Sequence, residues 1–464
     1  MKKIGIVYRG IGGMGMDKGT SMTKGTIWKA IVYFSIPLLI GNVFQQLYNT
    51  VDSIVVGNYV GKEALAAVGS CTVIINMLVG FFMGLSTGAS VVISQYYGAN
   101  EHKKLHDAVH TSIVMTLLLG IIMTFVGILL SPTLLNFMKT PSDVMPSSSL
   151  YLRIYFGGIL GLMVYNMGSA ILRAIGDSKR PLYFLIFSSI VNTVLDLVFV
   201  IVFDMGVAGV AWATLIAQVL SAILVIIVLV RSKEAYRIIL KDLCLNKEMF
   251  MKMLKIGLPA GLQQSITAFS NIFVQGYINV FGSSAMAGWS SYIKIDQFVI
   301  LPVQSIALAS TTFVGQNLGA KDVKRAKQGT KTSLGISLAV TIFLSILLNI
   351  FGNQILSIFS QDPEVLKYGN VFLRIFSPFY FALCFNQIYA GALRGAGDSN
   401  APMVIMLFCF VVFRQLTLFI GTKFFSSLNF VAFSYPLGWM LCSILLVLYY
   451  YKGNWQKKLD SVVD

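Results

Sequence analysis

The chain has 464 residues, 56% of them apolar and only 12% charged, with a formal net charge of +16. Twelve percent is about half the charged share of a soluble domain, too little to cover the two or three domains this length would form. Disorder is excluded by 33 Phe and 20 Tyr, which must be buried. The composition defines a polytopic membrane protein.

Near the start, Gly10-Ile11-Gly12-Gly13-Met14-Gly15 has the G-x-G-x-x-G spacing of a dinucleotide-binding turn. That turn works only inside a soluble βαβ unit with an acidic residue about twenty positions on. Here a membrane span follows. Residues 1–15 read more simply as a translated leader ahead of a start at Met16 or Met22. Farther on, Gly57-Asn58-Tyr59-Val60-Gly61-Lys62-Glu63 lacks the spacing and the hydroxyl of a phosphate loop.

Apolar runs predict six spans near 31–56, 66–96, 108–130, 150–172, 181–203 and 207–230. Six more follow near 256–281, 285–315, 331–351, 370–392, 401–421 and 428–450. The expected organisation is an all-α protein with a cytoplasmic tail (1–25), an N-lobe (26–230), a basic linker (231–255), a C-lobe (256–451) and a second tail (452–464). Of the Lys and Arg residues, 27 fall in the tails and every second loop, 6 in the alternate loops, and Lys294 and Arg414 inside spans. This asymmetry places both termini in the cytoplasm of a cell membrane, with lipid headgroups rather than nucleic acid as the partner of the charge. Four of five cysteines lie in spans, so neither a disulfide framework nor a thiolate metal site is expected. His102, His106 and His110 form a stripe suited in spacing to a metal. The C-lobe counterparts of the last two are Lys327 and Lys331, which favours a solvated basic face.

Those counterparts come from an internal repeat at an offset of 221 residues. Leu172-Arg173-Ala174-Ile175-Gly176-Asp177-Ser178 returns as Leu393-Arg394-Gly395-Ala396-Gly397-Asp398-Ser399. Gln95, Gly98 and Ala99 return as Gln316, Gly319 and Ala320, and Gly61 as Gly282. Both L-R-x-x-G-D-S turns lie on the basic side, so each half holds an even number of spans. Two parallel six-helix repeats around a central cavity describe a transporter. No nucleophile, base and orienting group occur together, so catalysis has no foothold.

Ser35-Ile36-Pro37, Tyr48-Asn49-Thr50-Val51-Asp52-Ser53, Gly61-x-x-Ala64-Leu65-Ala66-Ala67 and Gly315-Gln316-Asn317-Leu318-Gly319-Ala320 carry a further signal. With the duplicated turn, they resemble the multidrug and toxic compound extrusion (MATE) family over about residues 22–451. The resemblance implies multidrug efflux: export of small organic, mostly cationic compounds against inward H+ or Na+ flow, with no other cofactor and no obligatory protein partner. It also implies a bacterial source. The set Asp52, Asn192, Asp196 and Thr214 looks most like the DinF-like branch. The NorM-like branch has an acidic residue eight positions after the proline of the seventh span, where this chain has Thr267.

Charged residues inside spans usually face a cavity and do work. Asn192 and Asp196, four apart, share a helical face, and Asp52 and Thr214 add a carboxylate and a hydroxyl. These hard oxygen donors suit H+ or Na+. The bland alternative is a packing network, but the repeat places Phe273, Phe413, Thr417 and Tyr435 at the C-lobe equivalents of Asp52, Asn192, Asp196 and Thr214. Lys294, Asp296, Gln297, Arg414 and Asn76 are candidates for the substrate cavity, with an Asp296–Arg414 ion pair as the alternative. Pro37 is a candidate hinge or, like Pro259, a plain helix start. The rival functions are a lipid-linked oligosaccharide flippase, which would want an Arg- and Lys-rich cavity, and a membrane-embedded lipid transferase.

Overall fold

The structure is a computed structural model that describes residues 21–138, 140–425, 427–453 and 455. The Gly10–Gly15 segment, the leader 1–15 and most of the tail 452–464 lie outside the described residues.

Six helices build the first half: α1 (Ile27–Val55), α2 (Lys62–Gly98), α3 (His102–Phe137), α4 (Met145–Ala174), α5 (Lys179–Leu197) and α6 (Gly206–Arg231). Six build the second: α7 (Lys247–Asn279), α8 (Ser283–Gly319), α9 (Val323–Ser357), α10 (Pro363–Gly395), α11 (Asn400–Gly421) and α12 (Leu428–Lys452). Among the described residues there is no strand. Single π turns extend α1 and α5 and interrupt α11, and a 3-10 turn at Ser377–Phe379 breaks α10. Most helices outrun their predicted spans, since their polar ends project past the hydrocarbon; α2, with 37 residues, is about 55 Å long against a core of about 30 Å.

Eleven of the twelve are long and apolar enough to cross a bilayer. The exception is α7, whose run is diluted by Gln263, Gln264, Ser265, Thr267, Ser270 and Asn271. Its 33 residues span as far as its neighbours, about 50 Å. Four of these polar residues, Gln263, Gln264, Thr267 and Asn271, face the central cavity. Their amides and hydroxyl are therefore kept off lipid.

The duplication is written in the backbone. Left-handed residues recur 221 positions apart: Gly61 and Gly282, Asn100 and Lys321, Gly176 and Gly397. Gly176 and Gly397 close the L-R-x-x-G-D-S turns. In each turn the Asp N–H reaches back to the Leu carbonyl (Asp177 to Leu172, Asp398 to Leu393, both 2.9 Å) and the Gly N–H to the Arg carbonyl. That is the double bond pattern of a glycine helix C-cap. The motif is a stop signal used twice.

The lobes meet through α1 and α2 of one half and α7 and α8 of the other. At the end where α1 begins and α12 finishes, called the terminal end below, α2 crosses α8 at backbone contact. A Cβ on Gly98 would collide with the Gln316 carbonyl, and one on Gly319 with the Gln95 carbonyl. The two glutamines latch the crossing. Gln95 Nε2 donates to the Gly395 carbonyl of α10 at 2.9 Å, and Gln316 Nε2 to the Ala174 carbonyl of α4 at 2.8 Å. Met22 N–H donates to Gln316 Oε1 at 2.9 Å. Farther from the termini, α2 and α7 pack glycine on glycine, Gly84 against Gly261 and Gly88 against Gly257. The last hydrogen bonds between lobes are Ser265 Oγ to the Met77 carbonyl and Gln46 Nε2 to Gln297 Oε1. The terminal end is the closed end.

Gly98→Ala and Gly319→Ala should each force this crossing apart, at a cost of about 1–3 kcal/mol. The expected result is a lower melting temperature together with increased labelling of a cysteine placed at Ser94 by a reagent supplied from the terminal side. Unchanged melting and labelling in both variants would refute the latch.

Candidate functional site

The N-lobe holds a buried pocket of oxygen atoms. Asp52 on α1 and Asp196 on α5 bring their carboxyl groups side by side. Asn192 sits one turn before Asp196, and its Nδ2 donates to Thr214 Oγ1 of α6 at 3.5 Å. Asp196 is fully buried, and Asn192 and Thr214 nearly so. Tyr48, one turn before Asp52, and Tyr151 of α4 lie beside the pair. Asp52 Oδ1, both Asp196 oxygens and Asn192 Oδ1 are buried with no donor among the described residues. Buried acceptors without donors cost several kcal/mol as a set. A cation relieves them, either a proton shared between the carboxyls or a metal ion held by hard oxygens.

Beside this pocket a cavity of about 600 Å³ lies between the lobes, the size of a drug-binding pocket. Asn192, Thr214 and Tyr48 line it, so ion pocket and cavity share a wall. Its lining pairs through the repeat: Asn42 with Gln263, Asn166 with Gln387, Arg173 with Arg394, Leu185 with Met406. The cavity therefore sits on the pseudo-twofold axis. Pro37 also lines it, ten residues inside α1, and Pro259 is likewise internal to α7, so neither proline is a helix start.

The C-lobe candidates lie elsewhere. Asp296 accepts from the hydroxyls of Tyr292 (2.8 Å) and Tyr380 (2.6 Å). Arg414 donates to Asn271 Oδ1 at 2.8 Å and Ser270 Oγ at 3.2 Å, and its guanidinium lies 4.6 Å from the Tyr435 ring centre. The Asp296–Arg414 ion pair is absent; each group bonds neutral partners instead, although Arg414 Nε is buried without one. Lys294 is exposed and reaches the Phe359 ring at 5.4 Å. Gln297 bonds Gln46 across the lobes, and Asn76 is exposed. None of these five residues lines the cavity. Nor is the histidine stripe a solvated face throughout. His110 is fully buried, its Nε2 accepting from Ile239 N–H at 3.0 Å and its Nδ1 lying 2.8 Å from the His106 carbonyl, so it ties the linker to α3. No cluster of three or more His, Cys, Asp or Glu residues placed to hold a metal occurs among the described residues, and the five cysteines are free.

Sequence reasoning missed Arg173 and Arg394, counting both as loop charges. The signal was there. Each precedes its C-cap glycine by three residues and so still belongs to a membrane helix.

Two six-helix repeats enclosing an axial cavity, with a buried carboxylate pair at its wall, define a membrane transporter and not an enzyme. The MatE family model matches residues 37–198 and again 259–420, once per lobe. The probable multidrug resistance protein YpnP of Bacillus subtilis (strain 168) is 30% identical, with 95% of this chain and 98% of that protein covered. YoeA of the same organism, also described as a probable multidrug resistance protein, is 29% identical over 94% of this chain and 96% of its own length. The fold matches a solved structure described as the outward-facing conformation of a multidrug resistance MATE family transporter. There the TM-score is 0.88 and the identity 24%, with 96% of this chain and 99% of that one covered. The chain belongs to the MATE family.

Because the pocket lacks donors, cation binding should stabilise the fold by mass action, about 2.7 kcal/mol at a hundred times the dissociation constant. The melting temperature of the purified protein should rise with added Na+ or with falling pH. Asp196→Asn supplies a donor in place of an acceptor, so its melting temperature should lose that dependence. A wild type indifferent to both ions would refute the pocket.

Proposed function

We propose that the protein is a secondary antiporter that exports organic compounds in exchange for H+ or Na+. The observation that carries this is the donor-free carboxylate pair sharing a wall with the axial cavity. A cation entering between Asp52 and Asp196 draws α1 toward α5, and α1 carries cavity residues Asn42, Gln45 and Tyr48 on the same helix. Ion occupancy thus reshapes the compound's site, and each ligand biases the lobes by its differential affinity for the two states. Both termini face the cytoplasm of the plasma membrane in this reading, so the closed end is the inner gate and the cavity serves the outside.

Pro37 supports a bend in α1. It removes the hydrogen bond to the Tyr33 carbonyl in mid-helix, between the inner gate and Asp52. Pro259 does the same in α7, but that helix is interlocked with α2 through Gly257 and Gly261. The flippase reading is supported by Arg173 and Arg394 alone and gives the carboxylate pair no part.

The test is dye efflux in vesicles under separately imposed pH and Na+ gradients. Asp52→Asn and Asp196→Asn should each abolish gradient-driven efflux while membrane insertion is retained. Normal efflux by both would return the pair to packing. Pro37→Ala should slow turnover several-fold with ion affinity unchanged, and Pro259→Ala should not. For sidedness, Ser178 and Ser399 are buried, so cysteines belong at the exposed Lys179 and Asn400. Labelling of either from outside intact cells would refute the orientation.

A further inference from the structure

Arg173 and Arg394 hold the same position in the two turns, and both line the central cavity. Each is one residue before the carbonyl that the other lobe's glutamine grips, Ala174 by Gln316 and Gly395 by Gln95. They therefore flank the closed end on either side of the pseudo-twofold axis. Among the described residues lining the cavity there is no Asp, Glu or Lys, so its charge is that of two arginines.

Neither guanidinium forms an ion pair with a described carboxylate, and Arg173 Nε is buried without a partner. The carboxylates of their own motif are engaged elsewhere. Asp177 pairs with Arg180 at 3.2 Å and accepts from the Lys179 and Arg180 N–H groups. Asp398 accepts from Tyr449 Oη at 2.7 Å. A bland account makes each arginine a cation offsetting the carbonyl end of its helix. A side chain on the lipid-headgroup side would serve that purpose without desolvation. Instead both enter a cavity that offers only amides, hydroxyls and carbon, where an unpaired charge is costly.

We propose that Arg173 and Arg394 form an anion clamp, and that the compound this transporter exports carries a carboxylate or phosphate group held between them. This deepens the antiporter reading and rests on it. The planar forks of two arginines match the oxygens of such a group, each able to bind it through paired N–H bonds. Asn166, Gln387, Gln263 and Gln264 offer neutral hydrogen bonds to the rest of the molecule. A compound carrying only positive charge would meet like charge at the floor of the cavity. The clamp also couples to the cycle. Its halves belong to different lobes beside the two latching carbonyls, so opening the terminal end draws them apart. One anion bridges both arginines only while that end is closed, which supplies the differential affinity that alternating access requires.

The test uses the full chain in phosphatidylcholine nanodiscs and three probes: carboxyfluorescein, ethidium, and fluorescent phosphatidylglycerol doped into the disc. Carboxyfluorescein or phosphatidylglycerol should bind the wild type, and Arg173→Gln or Arg394→Gln should each weaken that binding about tenfold, as expected for loss of one charged hydrogen-bonding partner. Ethidium binding should not weaken. The Arg173→Lys and Arg394→Lys pair should retain the preference for anions at reduced affinity, and it carries the test should the Gln variants fold poorly. Binding of the dye alone identifies a soluble anion as the source, and binding of the lipid alone a headgroup; either supports the clamp. Anion binding that is equal in wild type, Gln variants and Lys variants, or absent from wild type, overturns it. The ion dependence of melting, read at Asp52 and Asp196, reports folding and the antiporter reading independently. Its loss in wild type would sink that reading while the equilibrium binding still tests the arginines.

Discussion

The crossing of α2 over α8 is the constraint on which the rest depends. Gly98 and Gly319 let two backbones touch where any side chain would separate them, and this contact lies on the axis relating the lobes. Because the helices touch there, Gln95 and Gln316 reach past each other to carbonyls at the ends of α10 and α4. Those helix ends are closed by the repeated C-cap, which fixes where the carbonyls point. The closed end, the floor of the cavity and the positions of both arginines follow from one glycine pair.

A duplicated scaffold carries unduplicated chemistry. In the C-lobe the intramembrane charges meet neutral groups of the same lobe: Asp296 has two tyrosine hydroxyls, and Arg414 bonds Asn271 and Ser270 through Nη2 and lies on a ring face. The N-lobe leaves four acceptor oxygens facing one another. The equivalents of Asp52 and Asp196 in the other half are Phe273 and Thr417, so the fold itself does not require carboxylates there. Satisfied networks rigidify, whereas an acceptor-only pocket stays poised for a cation. The asymmetry is what the proposed antiport would need, with coupling in one lobe and support in the other.

The twelve helices were legible because bilayer-spanning runs are long and apolar, and the repeat was legible because turn chemistry is strict. Even α7, diluted by polar residues, reads as an apolar run near 256–281, and six spans per half agree with the repeat. The Asp52, Asn192, Asp196 and Thr214 cluster was legible since buried acids in membranes are scarce and helical spacing places two of them on one face. The cavity lining was not. Lys294, Asp296 and Arg414 drew notice as intramembrane charges, but charge alone does not tell a group satisfied inside a lobe from one facing the axis. Arg173 and Arg394 looked like loop charges because a helix end lies at the boundary that hydropathy resolves least. What separates them is rotation about the helix and the partner across the lobes, and neither is a property of local sequence.

The two seams between the lobes differ in a way that bears on which helix moves. Along α2 and α7, Gly84, Gly88, Gly257 and Gly261 bring backbones into contact, so sliding would drive backbone atoms together. The repeat equivalents on α1 and α8 are Ser305, Ala309, Ile36 and Ile40, and there the packing is by side chains, Ile31, Phe34 and Leu38 of α1 against Ile306 and Ala309 of α8. Beyond that apolar patch the seam is held by the polar contacts of Asn42 with Ser305 (3.3 Å) and Gln46 with Gln297 (2.6 Å). Such bonds exchange for water at little net cost, about 1 kcal/mol each. Interlocked glycines have no comparable alternative. In an antiporter of the proposed kind, motion between the lobes would concentrate on α1, the same helix that carries Pro37, a cavity wall and one carboxylate of the buried pair. On that proposal sensing and moving fall on one element, because backbone contact between glycines holds the opposite seam.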